Sequence, residues 1–408
     1  MMFPLARPLV LVMVGLPARG KTYLARKLTR YLTWHGYRAE VFNVGNYRRA
    51  RLGADQPATF FDPSNPEGRA AREALAEAAL DDLISWVRTG GQVAIYDATN
   101  STRARRATVR RRLAEEGLEP IFVESATTDA ALVEANVRET KLSSPDYRDK
   151  DPDSAMADFR ARIAHYERAY EPVDDPDGSF VKIIDIGRKI IAHRISGYLP
   201  AQLVSYLSNL HVTPRPIYLT RHGESEYNLD GRVGGDPELT DRGLAYVRHL
   251  SQFLQRALAE AGEPPQVWCS TLRRAMITAG ALPWSPVSLR SLDEIDAGAC
   301  DGWTYDEIAA RLPEDARARA HDKLRYRYPR GESYLDVIQR VQPVVVEIER
   351  QRAPVVVVAH NAVIRVLYGY FTGRLPEEVP RLEIPLHTII RLVPKAYGAD
   401  EQRFELGP

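Results

Sequence analysis

Four short stretches hold the residue types needed for phosphoryl chemistry. In Gly15-Leu16-Pro17-Ala18-Arg19-Gly20-Lys21-Thr22, two glycines five apart precede a lysine and a hydroxyl. This is the P-loop spacing, in which backbone N–H groups surround phosphate oxygens, the ammonium reaches the outer phosphates and the hydroxyl ligates Mg2+. Asp97 closes the apolar run Val93–Tyr96. A carboxylate there can hold Mg2+ through water or orient an acceptor hydroxyl. It can also cap a helix expected over Ser101–Leu113, and both can hold at once. In the second half, Arg221-His222-Gly223-Glu224 ends one apolar run and His360 ends another, Val355–Ala359. A neutral His that attacks phosphorus forms a covalent phosphohistidine, splitting one hard displacement into two easier ones. Arg221 beside it disfavours the imidazolium form. Arginines at 48, 49, 72, 103, 105 and 106 follow strand ends, and guanidinium groups suit an anionic acceptor such as a sugar phosphate. Singly each reads as a solvated helix face, so the cluster carries the argument.

These groups need elements to position them. The 408 residues suit two domains rather than one. Leu9–Val14 reads as a buried strand, and Thr22–His35 as a helix ended by Gly36. Glu40–Asn43 is a short strand, and Gly53–Gly68, with three prolines, is a loop long enough to serve as a lid. An alanine-rich helix over Arg69–Arg88 leads into the strand ending at Asp97. Ile121–Val123 and Val181–Ile184 add further strands, so the first half reads as a parallel sheet wrapped by helices. After a helix over Ala201–Leu210, the prolines of His211–Pro216 mark the boundary, giving domains 1–212 and 213–408. A second α/β pattern follows, with strands at Ile217–Thr220, Val267–Cys269, Val355–Ala359 and Thr388–Val393.

Composition narrows the function. With 55 basic and 54 acidic residues the net charge is +1, so no global field favours nucleic acid or an anionic membrane. Two cysteines, Cys269 and Cys300, make no disulfide framework, and no Cys/His spacing suggests zinc. The longest early apolar run is too short to span a bilayer, and no leader pattern precedes it, so a cytoplasmic protein is expected.

Taken together, Gly15–Thr22, Phe42-Asn-Val-Gly-Asn-Tyr-Arg-Arg49, Tyr96-Asp-Ala-Thr-Asn100 and Ser143-Ser-Pro-Asp-Tyr147 resemble the kinase domain of the 6-phosphofructo-2-kinase/fructose-2,6-bisphosphatase family. Arg221–Ser225, Gly231–Asp236, Glu294–Gly298, Arg325–Pro329 with Gly331–Tyr334, and Pro385–Thr388 resemble its bisphosphatase domain, a phosphoglycerate mutase-like histidine phosphatase. The resemblance implies an α/β chain of two domains that makes fructose 2,6-bisphosphate from ATP and fructose 6-phosphate and separately removes its 2-phosphate. In the kinase, Lys21 and Thr22 would handle ATP and Mg2+, Asp97 would be a catalytic carboxylate and Asn136 would lie by the nucleotide, with Tyr397 a further match there. Fructose 6-phosphate would be held by Arg48, Arg72, Thr99, Arg105, Lys141, Arg162 and Tyr166. In the phosphatase, His222 would be the nucleophile, Arg221, Arg274 and His360 would enclose the phosphoryl group, and Glu294 would protonate the leaving oxygen. Asn228 and Gly234 would line the reacting end, and Tyr305, Arg319, Lys323, Tyr334 and Arg365 would grip the 6-phosphate. Asn361 stands where the family usually has Gln, leaving a contact to water. Thr127 stands where many members have Cys.

The resemblance also implies a homodimer formed through the kinase half. Few residues precede the first strand or follow the last, so control is expected from metabolites rather than from a phosphorylated tail. Two other readings fit the same motifs: a P-loop kinase fused to a histidine phosphatase acting on another sugar phosphate, and a nucleotide-binding regulatory protein without turnover.

Overall fold

A computed structural model describes residues 5–127, 129–138, 145–147, 151–185, 187–211, 213–395 and 398–407. The chain forms two compact units, Met2–His211 and Val212–Pro408.

In the first unit the strands are β1 (Leu9–Val14), β2 (Ala39–Asn43), β3 (Val93–Asp97), β4 (Pro120–Ala126), β5 (Phe180–Ile184) and β6 (Lys189–His193). Their order is β2-β3-β1-β4-β5-β6. β1 is apolar on both faces because it pairs in parallel with β3 and β4 and is covered by helices on either side. The chain leaves β1 towards one edge of the sheet and returns from β4 towards the other. That reversal opens a crevice at the carboxyl ends of β1, β3 and β4, where ligands of open α/β sheets bind. Val10, Val12, Val14, Tyr96 and Phe122 join the helix residues Leu80, Leu83 and Val109 in the core beneath it.

The structure corrects one expectation here. Gly53–Gly68 is not one continuous loop: Ala58–Phe61 forms a 3-10 turn, and the following helix begins at Pro66, capped by the Asn65 side chain on the Gly68 N–H. The Asn-Pro pair is an N-cap followed by a proline where its missing N–H costs nothing. The antiparallel edge strand β6 was not anticipated, because half-exposed edge residues lack an apolar period.

The second unit carries β7 (Ile217–Arg221), β8 (Gln266–Cys269), β9 (Val287–Ser288), β10 (Val355–Ala359), β11 (Thr388–Lys395) and β12 (Gly398–Glu405). Their order is β12-β11-β7-β10-β8-β9, with β7, β10, β8 and β9 parallel. The register pairs Ala359 with Arg221 and Val358 with Cys269. The residues that follow, His360, His222 and Ser270, therefore emerge side by side at one end of the sheet. Among the described residues, no helix is long and apolar enough to cross a membrane.

Candidate active sites

In the first unit, β1 turns sharply at Gly15, whose N–H bonds the Thr99 carbonyl at 3.0 Å. Its φ is 137°, and an added Cβ would lie 2.4 Å from the Ser125 carbonyl oxygen, so no side chain fits. Leu16 and Pro17 are half-buried at the top of the loop. Ala18 and Gly20, at φ 58° and 81°, fold the backbone into the first turn of the helix Lys21–Trp34. Gly20 has no side chain to cap that helix and its first turn holds no acidic residue, so its first N–H groups are left to the loop. Lys21 Nζ donates to the Leu16 carbonyl at 2.6 Å. Asn136 Nδ2 donates to the Ala18 carbonyl at 3.1 Å, and Ser125 Oγ donates to that of Arg19, whose guanidinium faces Glu167 at 3.4 Å.

Thr22 Oγ1 donates to Asp97 Oδ2 at 2.9 Å, and Asn43 Nδ2 donates to the same oxygen. A hydroxyl and a buried carboxylate meeting beside the loop form a hard-oxygen set. That set fits Mg2+, which takes one or two protein oxygens and completes its shell with phosphates and water.

Next to the loop, Tyr166 is surrounded by Arg72, Arg48 and Arg162 and hydrogen-bonded to Thr99. Burial raises its phenol pKa, and the three guanidiniums pull it back. Arg48 pairs with Asp146, and Arg162 Nε holds Asp158 at 2.9 Å while its plane lies 4.4 Å from the Phe61 ring centroid. Arg72 donates to the Phe60 carbonyl. The structure thus gathers Arg48, Arg72, Thr99, Arg162 and Tyr166. Arg105 bonds other partners, with NH2 on the Tyr96 hydroxyl at 2.9 Å and NH1 facing Glu77 at 3.5 Å. Lys141 and Tyr397 lie outside the described residues.

In the second unit, the His222 and His360 ring centroids are 5.0 Å apart. Arg274 Nε, which can only donate, lies 3.2 Å from His222 Nε2, and His222 Nδ1 lies 2.6 Å from its own neighbour's carbonyl, Gly223 O. The pair of contacts defines the tautomer: Nδ1–H donates to Gly223 and Nε2 keeps a lone pair. Thr278 Oγ1 accepts the Gly223 N–H at 3.0 Å, bracing that peptide on the helix Arg273–Gly280. Burial first, and then Arg274, push the His222 pKa well below its usual value. The sequence pointed to Arg221 for this effect, but Arg221 contributes less than Arg274. Burial also lowers Arg221 to about 10, and its NH1 donates to the Ile384 carbonyl at 3.2 Å. Glu294 faces both arginines, and its Oε1 accepts from Ala362 N–H at 3.3 Å.

Residues 3–214 match the family model for 6-phosphofructo-2-kinase, and residues 217–406 match the histidine phosphatase superfamily (branch 1). The chain is 50% identical over 406 residues to 6-phosphofructo-2-kinase/fructose-2,6-bisphosphatase of Arabidopsis thaliana, covering 98% of this chain and 54% of that protein. It is 46% identical to 6-phosphofructo-2-kinase/fructose-2,6-bisphosphatase 4 of Rattus norvegicus, covering 96% of this chain and 83% of that one. The figures for 6-phosphofructo-2-kinase/fructose-2,6-bisphosphatase 3 of Homo sapiens are 46%, 96% and 75%. The chain belongs to the 6-phosphofructo-2-kinase/fructose-2,6-bisphosphatase family.

The remaining positions singled out for this 6-phosphofructo-2-kinase/fructose-2,6-bisphosphatase family member continue from Arg221. Arg365 NH1 donates to the Tyr334 hydroxyl at 3.1 Å and its Nε to the Leu382 carbonyl at 2.6 Å. Lys323 Nζ donates to the Pro380 carbonyl at 3.0 Å, and Arg319 bonds the Tyr305 and Tyr328 hydroxyls, each at 3.0 Å. Burial, then Arg365, Arg319 and Arg381, lower Lys323 to about 8. Asn228 Oδ1 accepts from Ser225 N–H and Oγ–H, both at 3.0 Å. Gly234, at φ 71°, leaves no room for a Cβ, which would sit 1.7 Å from Asp301 Oδ1. At the two departures, Asn361 Oδ1 is buried without a hydrogen-bond partner among the described residues, and Thr127 Oγ1 donates to Asp185 Oδ1 at 3.0 Å.

Sequence reasoning missed several neighbours. Ser270 follows a strand end in the same way as the two histidines, a signal that was readable. Asn43, which ends β2 beside Asp97, carried the same signal. Arg340, whose NH2 donates to the Asp293 and Glu294 carbonyls at 2.7 and 3.1 Å, reaches them from a helix far along the chain, and nothing local marked it.

Proposed function

We propose that this chain is a bifunctional enzyme, with residues 1–212 transferring the γ-phosphoryl group of ATP to the 2-hydroxyl of fructose 6-phosphate and residues 213–408 hydrolysing the product's 2-phosphate. The observation that carries the reading is the pairing of His222 and His360. The first has an anchored Nδ1–H and an Nε2 lone pair beneath a guanidinium, and the second faces it across the same end of the sheet.

In the kinase unit the backbone of Gly15–Gly20 cradles the nucleotide phosphates, Lys21 reaches the outer ones and Asn136 supports the loop from below. Thr22 and Asp97 would hold Mg2+, which neutralises charge on the phosphates. Arg48, Arg72, Arg162, Thr99 and Tyr166 bind fructose 6-phosphate, with Arg105 at their margin and Lys141 and Tyr397 as further contacts. Asp97 orients the acceptor hydroxyl and takes its proton as the hydroxyl oxygen attacks the γ-phosphorus and the ADP oxygen leaves.

In the phosphatase unit the His222 Nε2 lone pair attacks the 2-phosphorus. Glu294 delivers a proton to the departing sugar oxygen, so fructose 6-phosphate leaves neutral at that position. Water then attacks the phosphohistidine, releasing inorganic phosphate and regenerating His222. Arg221, Arg274 and His360 surround the transferred group, and Asn228, Gly234 and Asn361 line it. Tyr305, Arg319, Lys323, Tyr334 and Arg365 hold the 6-phosphate. The enzyme works as a cytoplasmic homodimer.

The test is to supply purified chain with ATP and fructose 6-phosphate, and separately with fructose 2,6-bisphosphate labelled at the 2-phosphate. ADP formation dependent on the sugar, and acid-labile labelling that His222→Ala abolishes, are expected. Lys21→Ala should stop only the first reaction. Labelling that persists in His222→Ala removes that residue as nucleophile, and loss of both activities in either variant indicates a folding defect.

A further inference from the structure

Glu294 sits on an irregular stretch between the 3-10 turns Arg290–Leu292 and Gly298–Cys300. Such a backbone takes its shape from whatever holds its carbonyls and N–H groups. Arg340 holds this one. Its NH1 donates to the Ser291 carbonyl at 2.7 Å, and its NH2 to the Asp293 and Glu294 carbonyls at 2.7 and 3.1 Å. Nε and NH2 of the same guanidinium grip the two carboxylate oxygens of Glu332 at 2.8 and 3.1 Å. Glu332 Oε2 also accepts the Asp296 N–H at 3.0 Å, and the Glu332 N–H donates to the Asp296 carbonyl at 2.8 Å. The backbone on both sides of Glu294 is thus fastened to one ion pair. Arg340 lies within the helix Tyr334–Arg350, whose Val337, Val341 and Val344 are buried, and Glu332 directly precedes the Ser333 cap of that helix. Both side chains of the pair are 22% exposed, so solvent screens their charges, and the planar fork is what the stretch feels.

We propose that the Arg340–Glu332 pair is a clamp that sets where Glu294 stands, and that it serves the proton delivered to the leaving sugar oxygen rather than the phosphoryl site as a whole. The inference rests on the reading of this unit as a fructose 2,6-bisphosphate phosphatase. Glu294 Oε1 accepts the Ile295 and Ala362 N–H groups at 2.9 and 3.3 Å, so the proton it delivers is carried on Oε2. In the step served, the bond from His222 Nε2 to phosphorus forms and the bond from phosphorus to the sugar oxygen breaks. The Oε2 proton moves to that oxygen and leaves Glu294 a carboxylate. Proton transfer needs the two oxygens within about 2.6–3.2 Å of each other. A displacement of about 1 Å is then enough to slow the step about a hundredfold. Arg340 and Glu332 act through Glu294 and are positioning residues.

The readout is the rate at which the 2-phosphate of fructose 2,6-bisphosphate labels His222 in a single turnover. Arg340→Lys keeps the charge and loses the fork. It should slow labelling about tenfold to a hundredfold at saturating substrate, and Arg340→Ala should do the same. Glu332→Gln, a milder change, should slow it about threefold to tenfold, the worth of one hydrogen bond. In a Glu294→Gln background, which has no proton to give, Arg340→Lys should add less than about threefold, because the two residues serve one event. With p-nitrophenyl phosphate, whose leaving group departs as a stable anion, labelling by the Arg340 variants should stay within about threefold of wild type, which also shows that their phosphoryl site is folded. Bisphosphate labelling unchanged in both Arg340 variants, losses that multiply in the double variant, or equal losses on the two substrates overturn the proposal. Any of these with a labelled wild type removes the clamp and leaves the phosphatase reading standing. A wild type that the bisphosphate does not label removes that reading, and the clamp with it.

Discussion

Arg274 offers a sharp test of how the phosphatase site works. Its side chain is buried, with Nε 3.2 Å from the His222 nitrogen that carries the lone pair and NH1 2.7 Å from the Gly235 carbonyl and 3.2 Å from Asp236. On the proposed reading, a phosphoryl group passing onto Nε2 sits against this guanidinium, which meets the charge spread over its oxygens in the transition state. Arg274→Ala removes a preorganised, desolvated donor, and losses of this kind cost about 3 kcal/mol, or roughly a hundredfold to a thousandfold in turnover. Asp236 is about a third exposed and is rehydrated in the variant, so little of the loss comes from stranding it. A second effect shows in the pH profile. Arg274 is the foremost charge opposing the imidazolium of His222, so its removal raises the His222 pKa and moves the acid limb of kcat/KM towards neutral pH. Inorganic phosphate release from fructose 2,6-bisphosphate, measured across pH, reports both, and the kinase rate of the same preparation controls for folding. A phosphatase rate within threefold of wild type with an unmoved acid limb would refute the reasoning.

Lys323, held at about 8, carries its proton only below that pH, so kcat/KM for the bisphosphate should fall above about pH 8 through KM. Lys323→Arg stays charged and should flatten this limb. Because Asn361 Oδ1 has no partner among the described residues, Asn361→Gln should lower KM by roughly two- to tenfold, one neutral hydrogen bond's worth, with kcat within twofold as read by steady-state kinetics. In the first unit, both nitrogens of His35 are buried beside Tyr31 and Trp34 without hydrogen-bond partners among the described residues, and burial lowers its pKa from 6.5 to about 3. The unfolded chain binds this proton first, so stability is full above about pH 6.5 and falls by about 1.4 kcal/mol per pH unit towards pH 3. Denaturant melts of His35→Phe should show a shallower acid loss than wild type, and an identical slope would remove His35 as its source.

Much of the site was legible because it lies at strand ends. The P-loop, Asp97, Arg221-His222 and His360 each follow an apolar run, and a parallel sheet delivers the residues after such runs to one edge. The edge strands β6 and β12 were not legible, since half-exposed strands carry no clear period. Nor was the 3-10 turn within Gly53–Gly68, where prolines suggested only a loop.

Residue type and local spacing alone determined the family and pointed to the chemistry proposed for it: a phosphate cradle, a nucleophilic imidazole and arginine clusters. Only tertiary structure decided which partners set their state. Pairing Ala359 with Arg221 brought two histidines together from 138 positions apart. The helix Arg273–Gly280 placed Arg274 against His222 Nε2, and Ser270, bonded to Asp293, met His360 Nε2. Protonation and tautomer depend on distances of a few ångströms between groups far apart in the chain, and those distances exist only once the sheet has closed.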